Sequence, residues 1–178
     1  MGLFSKKTKP SQNAYAVVTG AGSGIGRSFA LELGKRGGVV VCADINLAAA
    51  EETVSLLAQQ GAKGFAVTCD VGVAEQVKQL AETAEQLMQH PVSLVLNNAG
   101  VGLGGKFDEV SLEDWQWVTH VNLWGVIHGC HYFVPKFKQL GYGAIINVAS
   151  AASDASAPEM TAYNVTKSGV LALSETLA

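Results

Sequence analysis

Residues 19–27 are Thr-Gly-Ala-Gly-Ser-Gly-Ile-Gly-Arg, and this stretch decides the fold. The run before it, residues 14–19, is almost continuously apolar, as in a strand buried on both faces. An amphipathic helical pattern begins directly after it, at Gly26. Glycines let the backbone turn tightly here, and the free N–H groups of a helix N-terminus attract a pyrophosphate. A tight strand-to-helix turn without a ligand is the alternative. An ATP-binding loop is excluded, because no Gly-Lys-Ser/Thr follows.

The same alternation continues along the chain. Four more apolar runs occupy residues 39–43, 65–69, 92–96 and 144–148. Amphipathic stretches occupy residues 26–36, 47–60, 73–89, 112–137 and 161–178. Strands alternating with helices predict βαβ units, and hence a doubly wound parallel sheet with helices on both faces, in three layers α/β/α.

Composition limits the possible partners. The chain has 178 residues, of which 48% are hydrophobic and 15% charged, so one domain over residues 14–178 is expected after a flexible polar leader over residues 1–13. The net charge of −3 comes without a basic face, which argues against nucleic acid. No apolar run is long enough to span a membrane, so we expect a cytoplasmic protein with three reduced cysteines: Cys42, Cys69 and Cys130.

An acidic residue predicts the cofactor. Asp44 closes the second apolar run, eighteen residues after Gly26, where a carboxylate hydrogen-bonds the ribose hydroxyls of a dinucleotide and repels a 2′-phosphate. No Arg or Lys lies between Gly20 and Gly26. The sequence therefore predicts NAD rather than NADP, bound by Asp44 and by the loop residues Gly20, Ser23, Gly24, Ile25 and Gly26.

Two polar side chains one helical turn apart indicate acid–base chemistry. Tyr163 and Lys167 are four residues apart in a helical pattern, so they share a face. An ammonium stabilises a nearby phenolate, which makes a tyrosine a better base near neutral pH. Ser150 follows the fifth apolar run, on the carboxyl edge of the sheet, where α/β folds bind ligands. Taken singly, these residues also fit a surface pair and a helix cap.

The landmarks together resemble a short-chain dehydrogenase/reductase of the simple single-domain branch, over residues 14–178. They are the glycine loop, Asp70-Val71, Asn97-Asn98-Ala99-Gly100, Asn122, Ser150 and Tyr163-x-x-x-Lys167. The resemblance implies a Rossmann-like fold in which Tyr163 transfers the proton and Lys167 also holds the nicotinamide ribose. It further implies that Ser150 orients the carbonyl or hydroxyl and that Asn122 supports a water in the proton relay.

The resemblance also places the other cofactor contacts. Asp70 and Val71 would lie beside the adenine, and Asn98, Ala99 and Gly100 under the cofactor. Asn98 equally fits an amide that braces the sheet. We expect no metal site, because His128, Cys130 and His131 lie on one helical stretch without further Cys or His at zinc-site spacing.

The expected function is hydride transfer between NAD and a secondary alcohol or ketone. Segments 101–107 and 151–160 should line the substrate pocket, and their small or apolar residues favour a small neutral substrate. The alternative is a non-catalytic dinucleotide-binding sensor, or an inactive fragment of such an enzyme. Members of the family pair through the helix that corresponds to residues 115–134, which implies a homodimer or homotetramer in the full-length form. They also continue past the Tyr-Lys helix, so the resemblance predicts that the C-terminal strands are missing here.

Overall fold

The fold is a parallel sheet between two layers of helices, in a computed structural model that describes residues 9–178. The five strands run in the order β3-β2-β1-β4-β5. They are β1 (Tyr15–Thr19), β2 (Val39–Asp44), β3 (Lys63–Thr68), β4 (Leu94–Asn97) and β5 (Ala144–Asn147). Each begins and ends within two residues of its predicted position. The expected doubly wound, Rossmann-like fold is confirmed.

Within residues 9–178, six α-helices cover the sheet. They are α1 (Gly24–Lys35), α2 (Leu47–Gln59), α3 (Ala74–Met88), α4 (Leu112–Thr119), α5 (Gly125–Leu140) and α6 (Thr161–Leu177). The long helical stretch predicted over residues 112–137 is present over residues 112–140, but it is not α-helical throughout. A π-helical turn, His120–Trp124, separates α4 from α5. Apolar periodicity does not reveal such a turn, because one wide turn leaves the pattern on either side intact.

Alternate strand residues build two separate cores. Ala16, Val18 and Leu94 pack towards α1 and α2, whereas Val17 and Val95 pack towards α3 and α5. This is the side-chain period of two that strands buried on both faces require.

The helix α5 lies unusually close to the sheet. A Cβ at Gly129 would overlap the side-chain amide of Asn97, on β4. Glycine at this position therefore allows α5 to pack directly against the strand end.

Helices leave opposite faces of the sheet after β1 and β4. These neighbouring strands pair in parallel, with Val18 opposite Leu96. Their carboxyl ends diverge into the glycine loop and into residues 98–102, which creates the crevice where open α/β sheets bind ligands. On the far side, β5 is the last strand of the sheet in the described part of the chain, and Ile146 on it is 46% exposed.

The first described residues contact the end of α1. Of the expected leader, residues 1–8 lie outside the described residues, while Gln12 Nε2 and the Asn13 N–H both donate to the carbonyl of Arg36 at 3.0 Å.

Within residues 9–178, no helix combines the length and the apolar character that crossing a membrane demands.

Candidate active site

One cleft of about 990 Å³ opens at the carboxyl ends of the strands. It gathers fourteen of the fifteen residues that the sequence predicts for the site. These are Gly20, Ser23, Gly24, Ile25, Gly26, Asp44, Asp70, Val71, Asn98, Ala99, Gly100, Ser150, Tyr163 and Lys167. Residues more than a hundred positions apart therefore face one space, and only Asn122 is not among its lining.

The glycine loop forms one wall of the cleft. Gly20 and Gly24 have φ values of 64° and 52°, which side chains rarely adopt. A Cβ at Gly26 would collide with the carbonyl of Gly20. Ser23 occupies the N-cap position of α1, but its side chain makes no capping hydrogen bond. The first N–H groups of α1 thus have no side-chain cap, as a pyrophosphate-binding helix requires.

The half-buried Asp44 carboxylate is fixed by two backbone donors. The Gly22 N–H donates to Oδ2 at 2.8 Å, and the Asn46 N–H donates to Oδ1 at 2.9 Å. Arg27 is the nearest cation in the loop sequence. Its guanidinium pairs with Glu52 at 2.7 Å and also donates to the carbonyl of Gly22. Arg27 is therefore engaged by the protein itself.

Thr19, which the sequence analysis did not assign to the site, organises the floor of the cleft. Its Oγ1 accepts from the N–H groups of Asn98 and Ala99 at 3.0 and 3.1 Å. Asn98 returns a bond from Nδ2 to the Thr19 carbonyl at 2.9 Å. Asn98 is thus a sheet-bracing amide that also lines the cleft. The sequence does carry a signal for the role of Thr19, because a threonine there ends the first strand directly before the glycine loop.

Lys167 lies buried below Tyr163. Its side chain is 4% exposed, and Nζ donates to the carbonyl of Val148 at 2.8 Å. Nζ lies 5.9 Å from the centre of the Tyr163 ring. Burial lowers the pKa of Lys167 from its ordinary value. A Cβ at Gly100 would approach this nitrogen to 3.5 Å, so the glycine leaves room beside the ammonium.

Ser150 both caps a turn and lines the cleft. It precedes a 3₁₀ turn, Ala151–Ser153, and its Oγ accepts from the Ala152 N–H at 3.2 Å. Ser153 Oγ accepts from the Ser150 N–H at 3.3 Å and donates to the Lys167 carbonyl at 2.9 Å. Ser153 therefore ties the segment after β5 to α6. Sequence spacing does not show this link, because it depends on tertiary contact.

Asn122 lies in the π-helical turn and is fully buried. Its Oδ1 accepts from the Val101 N–H at 2.7 Å, and its Nδ2 donates to the Val101 carbonyl at 2.8 Å. Both polar groups of the side chain are therefore used to hold the loop after β4. The second hydrogen of Nδ2 points to Thr166 Oγ1 at 3.4 Å, and Oδ1 keeps one further acceptor site. The expected role of Asn122 in supporting a water stays a prediction.

The end of the cleft that the sequence predicts for the substrate is mainly apolar. Of the two segments predicted to line it, Val101, Gly102, Ala152 and Met160 do so, and Trp117 joins them from α4. The segments contact each other, since the Gly105 N–H donates to the Glu159 carbonyl at 2.7 Å. Glu159 has a φ of 57°, an unusual value for a residue with a side chain.

The three residues considered as metal ligands have separate surroundings. His128 contacts the carbonyl of Val71 at 2.9 Å, His131 lies edge-on to Tyr132, and Cys130 lies 3.7 Å from Asn147 Oδ1. Across residues 9–178, no group of three or more metal-ligating side chains is found. All three cysteines are free and buried. Burial raises the pKa of Cys42 and Cys69 to about 12.

Comparison with known proteins places this geometry in a family. The family model described as short chain dehydrogenase matches residues 14–178. The chain is 38% identical to cyclohexanol dehydrogenase of Acinetobacter sp. (strain SE19), over 93% of this chain and 66% of that protein. It is 37% identical to (3R)-3-hydroxyacyl-CoA dehydrogenase of Canis lupus familiaris, over 94% of this chain and 68% of that protein.

Solved structures agree with the sequence relatives. A short chain dehydrogenase/reductase from Burkholderia phymatum, in complex with NAD, superposes with a TM-score of 0.91 at 42% identity, over 96% of this chain and 60% of that one. The chain thus spans 66% of the length of cyclohexanol dehydrogenase and 60% of the length of the Burkholderia phymatum chain. With a family match that runs through the whole sheet and the cleft, the chain belongs to the short-chain dehydrogenase family.

Proposed function

We propose that this protein is an NAD-dependent oxidoreductase that transfers a hydride between the nicotinamide and a neutral secondary alcohol or ketone. One observation carries the proposal. Ser150, Tyr163 and Lys167 line the same cleft as the glycine loop and Asp44. A hydride acceptor and the groups that move a proton must share one space for this chemistry, and the residues predicted to bind each of them line one cleft.

The residues present fit the cofactor. The first N–H groups of α1 have no side-chain cap and suit the pyrophosphate, and a Cβ at Gly24 would meet no protein atom within 4 Å, so the loop is open there. Asp44 supplies acceptors for the ribose hydroxyls, and its negative charge favours NAD over NADP. When bound, NAD supplies the hydride acceptor. We assign the adenine end of the cleft to Asp70 and Val71.

Tyr163, Lys167 and Ser150 have separate roles in the proposed proton transfer. In the oxidation direction, Tyr163 takes the hydroxyl proton while the carbinol hydrogen leaves as hydride. The Lys167 ammonium donates one N–H to the Val148 carbonyl. Its two other N–H groups can donate to the phenolate oxygen of Tyr163 and to the ribose. Ser150 accepts from Ala152 through Oγ, so its own hydrogen remains available to bond the substrate oxygen.

The substrate class follows from the lining. Val101, Ala152, Met160 and Trp117 are apolar, and Gly102 adds no side chain, so a charged substrate would lose hydration without gaining a partner. A relative at 38% identity is named cyclohexanol dehydrogenase. We therefore propose an apolar secondary alcohol, with a cyclic alcohol as the first to test.

A second copy of the chain is the proposed partner. Leu112, Trp117 and Trp124 are 76%, 46% and 46% exposed along α4 and the π-helical turn. Exposed apolar side chains of this size on neighbouring turns are typical of an interface. We propose a homodimer or homotetramer that forms through this face, in the cytoplasm, where free thiols stay reduced.

Replacing Tyr163 tests the function. Tyr163→Phe should lower the rate of NADH formation from cyclohexanol and NAD by at least about a hundredfold, because the proton acceptor is lost. Its affinity for NADH, followed by fluorescence titration, should change less than about twofold. Tyr142→Phe is the matched control, since Tyr142 is 49% exposed and lies outside the cleft. Full turnover by Tyr163→Phe would refute the assignment. Binding of NADH without turnover of any secondary alcohol by the unaltered protein would favour a sensor instead.

A further inference from the structure

The turn at Asp70–Gly72 needs support from outside its own segment. It follows β3 and lines the end of the cleft assigned to adenine. Its internal bonds are local: Gly72 N–H donates to Asp70 Oδ1 at 2.9 Å, and Val73 N–H donates to the Asp70 carbonyl at 3.1 Å. These bonds set the shape of the turn. Its start is tied to β2 by the Cys69 N–H, which donates to the Asp44 carbonyl at 2.9 Å, and to α3 by the Asp70 N–H, which donates to Gln76 Oε1 at 2.8 Å. Neither bond engages Val71.

His128, on α5, makes the long-range contact. Its Nδ1 lies 2.9 Å from the carbonyl oxygen of Val71. A carbonyl only accepts, so Nδ1 carries the hydrogen and donates. The ring is further held beside Trp124, with 5.7 Å between ring centres. The imidazole is thus oriented by one hydrogen bond and one aromatic neighbour.

Packing against α5 reinforces this contact. A Cβ at Gly125 would lie 2.6 Å from Val71 Cγ2, so the backbone of α5 and the Val71 side chain are in direct contact. Gly125 and His128 are three residues apart and share one face of the helix. Val71 is only 6% exposed. The side chain of Val71 packs on Gly125 while its carbonyl is held by His128.

We propose that His128 is a positioning residue for the adenine end of the cleft, acting through the Val71 carbonyl. The inference rests on the proposed function and extends it to a residue outside the cleft lining. The bond fixes the peptide that follows Val71, and with it the wall formed by Asp70 and Val71. Adenine suits this wall, because its amino group donates to a carboxylate and its ring nitrogen accepts from an N–H. Among residues 9–178, the Val71 N–H has no hydrogen-bond acceptor.

Two ligands, each carrying one half of the dinucleotide, distinguish an effect at the adenine end from a general effect on binding. ADP-ribose contains the adenine, whereas nicotinamide mononucleotide does not. His128→Phe keeps an aromatic ring but loses the donor, so we expect about fivefold weaker binding of ADP-ribose by calorimetry. Binding of nicotinamide mononucleotide should change less than about twofold. His128→Asn should recover most of the affinity, because its Nδ2 is attached at the position of Nδ1.

His131→Phe is the matched control, because His131 lies one turn along α5 and is exposed. Unchanged ADP-ribose binding by His128→Phe, or an equal loss for both ligands, would overturn the inference. Hydrogen exchange of the Gly72 and Val73 amides without ligand supplies an independent readout, and His128→Phe should accelerate both by about fivefold. If the unaltered protein bound no ADP-ribose, the proposed function would fail. Exchange rates equal to those of His131→Phe would refute the positioning role itself.

Discussion

Replacing Asp44 with alanine should change the cofactor preference, and the structure gives the size of the effect. A phosphate within about 4 Å of a carboxylate is repelled by about 1 kcal/mol in bulk water and about 4 kcal/mol near a protein surface. Asp44 is half-buried and fixed by two backbone bonds, so it cannot swing away at little cost. An intermediate value of about 2 kcal/mol corresponds to roughly thirtyfold weaker binding of NADPH than of NADH.

Asp44→Ala should reduce the preference for NADH over NADPH from roughly thirtyfold to about threefold or less. The variant removes the repulsion and also frees the N–H groups of Gly22 and Asn46, which then have no acceptor and can donate to a 2′-phosphate. Most of the change should therefore come from tighter NADPH binding. Affinity for NADH should fall only about twofold, because the ribose loses one acceptor.

Fluorescence titration of both reduced cofactors measures the ratio. Glu51→Ala removes one negative charge from an exposed position on α2 and controls for net charge. The reasoning is refuted if the unaltered protein binds the two cofactors equally. It is also refuted if Asp44→Ala loses NADH affinity without gaining affinity for NADPH, since repulsion would then not be the cause.

Two further predictions concern stability and solubility. Gly129→Ala should lower the free energy of unfolding in urea by about 2 kcal/mol or more, because its methyl group overlaps the Asn97 amide. Gly102→Ala meets nothing within 4 Å and should change it by less than about 0.5 kcal/mol; equal effects would contradict the packing argument. In the described part of the chain β5 is an edge strand, so the chain should self-associate through it, and Ile146→Lys should raise the fraction of non-aggregated protein in size-exclusion chromatography. Leu47→Lys, at a similarly exposed position on α2, should not, and an equal gain would point to surface charge alone.

Local sequence patterns predicted the sheet because its strands are short apolar runs, and the three central ones, β1, β2 and β4, are buried on both faces. The glycine loop lies between β1 and α1, as its composition indicates, and Asp44 is the last residue of β2. Strand order needs one more step, namely that β4 pairs with β1 on the side opposite β2. That step came from the resemblance, since no local pattern specifies which strands become neighbours.

The features that were not predicted depend on tertiary contact. The π-helical turn at His120–Trp124 differs from an α-helix by hydrogen bonds that span one residue more, and this leaves little trace in apolar spacing. Ser153 and His128 act through single bonds to the carbonyls of Lys167 and Val71. A side chain that donates to a distant carbonyl looks, in sequence, like any polar residue on a turn or helix.

The structural and the catalytic interpretations of a polar residue are compatible when the side chain has bonds to spare. Ser150 uses one acceptor site for the Ala152 N–H and keeps its hydrogen, and Lys167 uses one of three donors for Val148. The structural bond thus orients the group that remains free for a ligand. Asn122 follows the same rule, because its bonds to Val101 use one lone pair of Oδ1 and one hydrogen of Nδ2. Its side chain therefore fixes the position of Val101 and keeps one acceptor site on Oδ1 for a further donor.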